Sequence, residues 1–463
     1  MNHLDTIAAI STPYGKGGIA VLRVSGEEAI AIADRVFAPK CGKKLSELDA
    51  NHAIYGGIFE YQGERKKQID DGIAVCFRAP HSFTGEDTVE ISCHGGILIT
   101  SKVLSALLAA GARPALPGEF TRRSFINGKT TLTGAEALGD LLEAQTDEQI
   151  SLARSNMKGT LSGAVKTIYD SLADVLAAIF AHIDYPDEDL ADISHEETLI
   201  IARASLDKLE NLIRTYSTGR AVMSGIPTVI LGRTNAGKSS LYNKLVGREA
   251  AIVTDIEGTT RDVLTETAKL GRVILRLSDT AGLRESGDRV ERIGIDRARK
   301  AAEEAELILA VFDGSREPDE KDAEFTNYLN SLNGIKVAIV NKSDLGTLPS
   351  VTKMLNHFDR CCYLSASSGE GFSHLETLLE EIYIDGDLDT GSDAIISNAR
   401  QMAAAKTAQE ALLSAINSIE AELPLEICCS ELERAMASLG EIDGRTVSED
   451  VVSRIFANFC VGK

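Results

Sequence analysis

Four short segments in the middle of the chain carry residue types that bind a nucleoside triphosphate. In chain order they are residues 232–239 (GRTNAGKS), 259–260 (TT), 279–282 (DTAG) and 341–344 (NKSD). The first is a glycine-rich turn between a predicted strand and a predicted helix, so its backbone N–H groups and the helix dipole favour phosphate. Lys238 can reach the β- and γ-phosphates, and the Ser239 hydroxyl suits a Mg²⁺ ligand. Together the four segments predict a guanine-nucleotide site.

The later segments indicate a metal ion and the identity of the base. Asp279 follows a predicted strand, where its carboxylate can hold Mg²⁺ through water, and Thr260 can add a second hydroxyl. Asp344 can accept hydrogen bonds from the N1–H and 2-amino groups of guanine, whereas adenine would leave this carboxylate unpaired. Ser365 and Ala366 match a weaker motif that touches guanine O6, or they form only a turn. The motif residues predicted to bind GTP are Asn235, Ala236, Gly237, Lys238, Ser239, Ser240, Asp279, Thr280, Ala281, Gly282, Asn341, Lys342, Ser343, Asp344, Ser365, Ala366 and Ser367.

Two positions differ from small regulatory GTPases. Leu283 stands where those proteins carry a glutamine that orients the attacking water, so a polar group from elsewhere must take that role. The amide oxygen of Asn235 could bind a monovalent cation near the phosphates. Such a cation would supply the positive charge that an arginine gives in other GTPases.

Composition sets limits on the class of protein. The 463 residues are 44% hydrophobic and 25% charged, which is typical of a globular protein with several domains. No apolar run is long enough to cross a bilayer. The formal charge of −21 argues against a broad nucleic-acid surface and favours a basic partner that holds any polyanion. Eight cysteines without a metal-binding spacing predict mostly buried thiols in a reducing cytosol.

The periodicity of the chain predicts a multidomain protein of α+β and α/β parts. Residues 1–117 read as an α+β unit, with strands at 19–24 and 72–77 and helices at 27–36 and 96–110. Residues 118–220 and 385–463 read as two parts of one helical bundle, broken by an acidic loop at 184–189. Residues 221–384 alternate strand and helix, as a Ras-like P-loop GTPase domain inserted into that bundle.

At this point the sequence resembles the MnmE (TrmE) family of tRNA-modification GTPases over essentially its full length. The segments that carry the resemblance are residues 12–13 (TP), 15–18 (GKGG), 82–87 (SFTGED), 258–262 (GTTRD), 279–284 (DTAGLR), 290–294 (VERIG), 398–401 (NARQ) and 459–463 (FCVGK). The resemblance implies a homodimer through the N-terminal domains, with two GTPase domains that approach each other when K⁺ and GTP are bound.

The resemblance also implies roles in hydrolysis. Glu291 looks like the residue that organises the hydrolytic water and so acts in catalysis with Lys238 and Asn235; from composition alone it would be an exposed helix glutamate. The switch-loop residues that the family pattern adds to the GTP site are Thr254, Asp255, Ile256, Glu257, Gly258, Thr259 and Thr260. The implied K⁺ ligands are Asn235, Thr254, Ile256 and Thr259, and the implied Mg²⁺ ligands are Ser239 and Thr260.

The family works with a flavoprotein, MnmG, in a heterotetramer that adds an aminomethyl or carboxymethylaminomethyl group to C5 of the wobble uridine of certain tRNAs. The resemblance implies that the one-carbon unit comes from 5-formyltetrahydrofolate or a related tetrahydrofolate. Its ligands by motif position are Arg23, Glu90, Lys129 and Lys463, each of which would otherwise read as a structural or surface residue. FAD, NADH and most of the contacts with tRNA are expected on MnmG. Residues 15–20 loosely fit a dinucleotide fingerprint, but a strand follows them instead of a helix.

Two alternatives remain open. Cys460 is a buried thiol, or a nucleophile in the folate or uridine chemistry; a prenylation motif is rejected because lysine ends the chain. The whole chain could also be a GTP-switched scaffold without one-carbon chemistry, such as a ribosome-assembly factor. Binding of 5-formyltetrahydrofolate separates the two functions.

Overall fold

The computed structural model describes residues 5–62, 65–184, 194–248, 265–278, 300–356, 358–457 and 459–462. The chain divides into two compact units. The first unit comprises Met1–Gly139, Met157–Ser162 and Ala437–Lys463, and the second comprises Asp140–Asn156 and Gly163–Met436. Within the described residues, no helix is long and apolar enough to cross a membrane.

A seven-stranded sheet forms the centre of the first unit. Its strands are β1 (Ile7–Ile10), β2 (Ile19–Ser25), β3 (Phe37–Pro39), β4 (Ala53–Gln62), β5 (Arg65–Phe77), β6 (Thr88–His94) and β7 (Arg113–Pro114), in the order β3-β4-β5-β6-β2-β1-β7. One face is covered by the helices α1 (Ala29–Val36) and α2 (Ile97–Ala109), and a continuous apolar core joins them to β2, β5 and β6. The α+β prediction for this part of the chain is confirmed.

Two predicted elements of this unit begin at a different residue in the structure. The helix expected from residue 27 begins at Ala29, because the Glu28 N–H donates to Thr6 Oγ1 at 3.1 Å and residues 27–28 form a turn. The strand expected at 72–77 begins at Arg65, so the polar run before it is also extended. The glycine-rich residues 15–18 connect the antiparallel strands β1 and β2, which excludes a dinucleotide-binding turn before a helix.

The carboxyl-terminal part of the chain packs into the first unit. Helices there include α3 (Glu119–Ile126), the start of α4 (Leu132–Glu143) and α15 (Glu449–Ala457), and Phe456 and Leu132 share a small apolar core. The tail then lies against β1: Gly462 has φ +97°, and a Cβ there would come within 2.3 Å of the Ile10 carbonyl oxygen. This approach requires glycine.

A six-stranded sheet forms the centre of the second unit. Its strands are β8 (Ile226–Gly232), β9 (Thr265–Leu270), β10 (Val273–Ser278), β11 (Leu307–Asp313), β12 (Ile335–Asn341) and β13 (Cys361–Tyr363), in the order β13-β12-β11-β8-β10-β9. Only the β9–β10 pair is antiparallel among these strands. Apolar cores lie on both faces, under α9 (Lys238–Arg248) and α12 (Phe372–Tyr383) on one side and α10 (Glu320–Ser331) and α11 (Pro349–Leu355) on the other. This three-layer α/β arrangement is the predicted one.

Further helices lie before and after this α/β part in the chain. They are α5 (Asp147–Met157), α6 (Thr160–Asp184), α7 (His195–Arg214), α8 (Tyr216–Met223), α13 (Ala399–Glu420) and α14 (Leu425–Asp443). Ala202 of α7, Ile416 of α13 and Cys428 of α14 share one apolar core, so the α/β domain is inserted between segments of a helical domain. Of the acidic loop expected at 184–189, only Asp184 is described, as the last residue of α6.

Candidate functional site

The glycine-rich loop lies at the carboxyl end of β8, between β11 and β10 in the middle of the sheet. It has the shape of a tight cradle, because Gly237 has φ +98° and Asn235 has φ +63°. A Cβ on Gly237 would come within 2.0 Å of Asn341 Nδ2, and one on Gly232 within 2.6 Å of the Val311 carbonyl oxygen. Only glycine allows the loop to lie this close to its neighbours, and the loop leads directly into α9.

Lys238 begins α9 and is half-buried. Its ammonium donates to the Arg233 carbonyl oxygen at 2.8 Å, which closes the loop across its own base. Burial lowers the pKa of Lys238, because a desolvated ammonium loses hydration that one carbonyl does not replace. A bound phosphate would return that stabilisation, so the lysine favours an anion in the cradle.

Asn341, the first residue of the NKSD segment, joins two loops of the site. It is 2% exposed; its Nδ2 donates to the Ala236 carbonyl oxygen at 2.9 Å, and its Oδ1 accepts the Ala366 N–H at 2.9 Å. One side chain therefore ties the phosphate-binding loop to the loop after β13. The sequence assigned Asn341 to base recognition and did not predict this bridge.

The NKSD segment lies at the same sheet edge, and its residues after the buried Asn341 are partly or fully exposed to solvent. Lys342 adopts φ +64°, and its ammonium lies 2.6 Å from Asp313 Oδ2. Burial raises the pKa of Asp313, but hydrogen bonds from Lys342 and Ser315 outweigh that effect and leave it below its usual value. Asp344 follows in a short 3₁₀ turn with an exposed side chain, so its carboxylate is accessible to a ligand.

The loop after β13 completes this edge of the site. Ser365 is fully buried, and its hydroxyl lies 2.9 Å from the Ser367 hydroxyl and accepts the Ser368 N–H at 3.2 Å. These bonds fix the backbone of Ala366, whose N–H is held by the asparagine bridge. The structure thus brings together the predicted residues at 235–240, 341–344 and 365–367.

An ion-pair cluster that sequence reasoning missed supports the loop from outside. Arg233 Nη1 lies 2.5 Å from Asp319 Oδ1 and 2.9 Å from Asp322 Oδ2, at the amino end of α10. The two aspartates form a capping box there, and Arg316 also contacts Asp322 at 2.7 Å. The spacing Asp-x-x-Asp before a helix was the available signal, but nothing in the sequence joined it to Arg233.

Several predicted residues lie outside the described residues. They are Thr254, Asp255, Ile256, Glu257, Gly258, Thr259, Thr260, Asp279, Thr280, Ala281, Gly282, Glu291 and Lys463. Asn235, Ser239 and Ser240 are described and exposed on the open side of the cradle.

A second group of predicted residues surrounds α3 in the first unit. Arg23 and Glu90 are register partners on β2 and β6, and Arg23 donates from Nε at 2.9 Å and from Nη2 at 2.7 Å to one oxygen, Oε1 of Glu90. The Arg23 guanidinium lies 5.1 Å from the ring centre of Phe83 and 5.5 Å from that of Phe120. Since both of these bonds end on Oε1, Oε2 of Glu90 can accept from a ligand.

A cavity of about 310 Å³ opens beside this group, and Phe83, Thr121, Ser124 and Lys129 line it. Thr121 is 1% exposed, and its Oγ1 has no hydrogen-bond partner among the described residues. Lys129 donates to the Pro80 carbonyl oxygen at 2.9 Å. An orphaned buried hydroxyl in a cavity wall indicates a place for a polar ligand.

Cys460 differs from most of the other cysteines. Five of the eight are buried, and burial raises the pKa of Cys76 to about 11 and that of Cys362 to about 12, so these thiols are unreactive. Cys460 is exposed, and its carbonyl oxygen accepts the N–H of Gly118, the residue before α3, at 3.3 Å. Of the two alternatives left open for Cys460, the buried thiol is wrong, because only the backbone of this residue is held in the tail's contact with α3.

These features define a P-loop protein that binds guanine nucleotides: a glycine cradle at the end of a central parallel strand, a half-buried lysine, and an accessible aspartate at the same edge of the sheet. The fold is that of the Ras-like GTPase domain expected from the sequence.

Comparison with known proteins gives the family. Residues 6–129 match the model "GTP-binding protein TrmE N-terminus", and residues 132–460 match "MnmE helical domain". The tRNA modification GTPase MnmE of Bacillus pumilus is 40% identical over 99% of this chain and 100% of its own length, and that of Lactococcus lactis is 40% identical over 99% and 98%. A solved structure of Aquifex aeolicus Era bound to GDP and AlF4⁻ is 25% identical over 40% of this chain and 66% of that one, with a TM-score of 0.28. The chain belongs to the MnmE family of tRNA modification GTPases, which confirms the prediction of a GTPase.

Proposed function

We propose that this chain is a K⁺-dependent GTP hydrolase that acts, with an MnmG-type flavoprotein, in adding an aminomethyl or carboxymethylaminomethyl group to C5 of the wobble uridine of certain tRNAs. The observation that carries the GTP part is the Asn341 bridge, which ties the phosphate cradle to the loop after β13 from the same NKSD segment that contains Asp344. Family membership supports the tRNA part.

The residues of the GTP site have distinct tasks in this proposal. Lys238 and the loop N–H groups bind the phosphates, and Asp344 selects guanine. Ser239 and Thr260 would hold Mg²⁺, which would neutralise the charge that develops on the phosphates. Asn235 would hold K⁺ together with the switch-loop residues Thr254, Ile256 and Thr259. Glu291 would orient the attacking water.

The exposed amide of Asn235 allows a direct test of the K⁺ role. Asn235→Gly keeps the left-handed backbone without strain and removes only the amide oxygen. We expect GTP hydrolysis by the wild type to be faster in K⁺ than in Na⁺, and the variant to lose this difference while still binding GTP. Asn333→Ala, at an exposed asparagine of the same domain, is the control. Equal rates of the wild type in the two salts would refute the K⁺ role.

The cavity beside α3 fits a tetrahydrofolate in its chemistry. Oε2 of Glu90 can accept from the amino-pyrimidine edge of a pterin, and the orphaned Thr121 hydroxyl can bond a polar atom inside the cavity. Arg23, Lys129 and Lys463 would attract the anionic or formyl groups. When bound, the folate would supply the one-carbon unit.

Folate binding can be measured without any activity. The probe is 5-formyltetrahydrofolate, titrated into the full-length chain and followed by calorimetry. Thr121→Val removes one hydrogen bond at constant shape and should weaken binding roughly fivefold, from about 1 kcal/mol per bond. Glu90→Gln should weaken it more, and Glu27→Gln, at an exposed glutamate of the same unit, should not. No binding by the wild type would favour the scaffold alternative.

We also propose a homodimer through the first unit, which together with the flavoprotein forms a heterotetramer. The sheet face opposite α1 and α2 leaves three apolar side chains exposed, Ile19 at 70%, Tyr55 at 53% and Ile73 at 43%, and Tyr55 and Ile73 are register partners. Ile73→Glu should shift the chain to monomers in light scattering; an unchanged dimer would show that the interface is not on this face.

The eight free cysteines suit a reducing cytosol. In this proposal FAD, NADH and most of the tRNA contacts belong to the partner.

A further inference from the structure

The strands β4 and β5 extend past the rest of their sheet as a two-stranded arm. β3 pairs with β4 only at Gly56–Ile58, and β6 pairs with β5 only at Ile73–Phe77. Beyond these limits, residues 59–62 pair with residues 65–68, after a register shift between Ile58 and Phe59. We call residues 59–62 and 65–68 the basic arm.

The basic arm carries cations on both faces and aromatic rings on one. Arg65, Lys66 and Lys67 are consecutive and exposed. Tyr61 and Lys66 are register partners and therefore share a face, where the Lys66 ammonium lies 3.9 Å from the ring centre of Phe59. Tyr61 is 54% exposed. The arm thus presents an accessible ring beside positive charge.

A groove of about 610 Å³ runs along the base of the basic arm. Phe59 and Tyr61 form its aromatic wall, Ser105 and Ala109 of α2 form a small-residue wall, and Arg35 of α1 also lines it. Arg35 is fixed by its Nη1 donation to the Ala110 carbonyl oxygen at 2.6 Å. The groove therefore offers a flat ring to stack on and a guanidinium for an anion, while the Glu60 carboxylate that also lines it is paired with Lys67 at 3.6 Å.

We propose that the basic arm and its groove bind a single-stranded loop of tRNA, with an unstacked base on Tyr61 and phosphates on Arg65, Lys66 and Lys67. Proteins recognise RNA mainly at such loops, through aromatic stacking and cationic contacts to the backbone. The chain carries a formal charge of −21, so a contact with a polyanion has to be local, and this arm supplies such a place. This inference rests on the proposed role in tRNA modification.

Charge and shape favour RNA over a protein partner here. A second copy of the chain would be expected to dock through apolar area, and such area lies instead on the sheet face with Ile19, Tyr55 and Ile73. The arm combines two rings with three cations and one carboxylate, Glu60, which pairs with Lys67 at 3.6 Å; its net charge of +2 suits a polyanion with exposed bases.

The experiment measures binding of the full-length chain to a tRNA transcript with uridine at the wobble position, at several KCl concentrations. Arg65→Ala, Lys66→Ala and Lys67→Ala combined should weaken binding and reduce the salt slope by about 2, at ~0.7 for each phosphate that is no longer neutralised. Tyr61→Ala should weaken binding roughly fivefold or more, whereas Tyr61→Phe, which keeps the ring, should not. The matched control replaces three exposed lysines outside the arm, Lys40, Lys43 and Lys44, with alanine.

Two results would overturn the inference. The first is that the triple arm variant binds tRNA with the same affinity and salt slope as the wild type or the lysine control. The second is that ultraviolet light crosslinks the arm to the flavoprotein and not to RNA. Wobble-uridine modification is assayed in parallel with the same proteins. If the wild type supports modification while the arm variant binds tRNA normally, the arm inference fails and the proposed function stands; if the wild type supports no modification, the proposed function fails.

Discussion

Replacing Asn341 tests whether one buried side chain holds the nucleotide site together. Its amide connects the glycine-rich loop to the loop after β13, and both partner atoms belong to the backbone. Asn341→Ala removes the donor and the acceptor at once. Asn341→Asp keeps the acceptor for the Ala366 N–H but sets an oxygen against the Ala236 carbonyl oxygen.

The size of the effect follows from burial. Ala236 is 4% exposed and Ala366 is 6% exposed, so water cannot readily replace the lost partner at either residue. Each orphaned buried group costs about 1–3 kcal/mol, so Asn341→Ala should cost about 2–6 kcal/mol. If the lower bound, about 2 kcal/mol, is lost from the free energy of GTP binding, GTP affinity drops about 30-fold, at 1.4 kcal/mol per tenfold. Asn341→Asp should lose at least as much, because two oxygens then face each other.

The assay is titration with a fluorescent, non-hydrolysable GTP analogue, with thermal unfolding of the same full-length proteins to separate lost binding from lost structure. Asn333→Ala, at an exposed asparagine of the same domain, should match the wild type. A folded Asn341→Ala variant that binds within about threefold of the wild type would refute the bridge as the element that shapes the site.

Three further outcomes are expected. Gly237→Ala should reduce GTP affinity roughly 100-fold, from a positive φ and a Cβ 2.0 Å from the bridging amide, whereas Gly247→Ala, in open space within α9, should leave binding intact; equal effects in the same titration would contradict this. Asp344→Asn should weaken GTP and improve xanthosine triphosphate, and an unchanged base preference would reject the contact. The hydrogen bond that the His94 imidazolium donates to Asp70 raises the pKa of His94 above 6.5, so this ion pair stabilises the fold below pH 6.5 and is lost as pH rises through the raised value. Asp70→Asn should therefore lower the His94 midpoint in an NMR titration, and an unchanged midpoint would exclude the pair as its cause.

Local patterns in the sequence were enough to predict the nucleotide-binding part. The strand expected at 273–278 has those limits in the structure, and the glycine-rich loop lies between a strand and a helix as expected. Both signals are local, since a buried strand is an apolar run and a phosphate loop is a fixed spacing of glycines.

Contacts between distant segments could not be predicted in the same way. Nothing near Asn341 in the sequence shows that its amide reaches Ala236, and nothing near Arg233 points to Asp322. The basic arm was missed for a different reason: the polar run that begins at Arg65 lacks a buried face, so its alternation carries no strand signal, and only pairing with β4 makes it extended.

The way α8 is packed restricts how the GTPase domain can move against the helices. Val222 of α8 lies in the same apolar core as α9 and α12, whereas α7 belongs to the core it shares with α13 and α14. The chain passes between these cores at Thr215, whose buried hydroxyl accepts the Ile396 N–H at 3.0 Å, and a Cβ on Gly219 would come within 2.1 Å of the Ile396 carbonyl oxygen. The Thr218 hydroxyl ties the crossings a second time, since it accepts the Asp385 N–H at 2.9 Å and donates to the Tyr383 carbonyl oxygen at 3.3 Å. Because bending α8 would break the GTPase core and separating the crossings would orphan buried polar groups, we expect any movement of the GTPase domain against the helices to leave the two crossings paired.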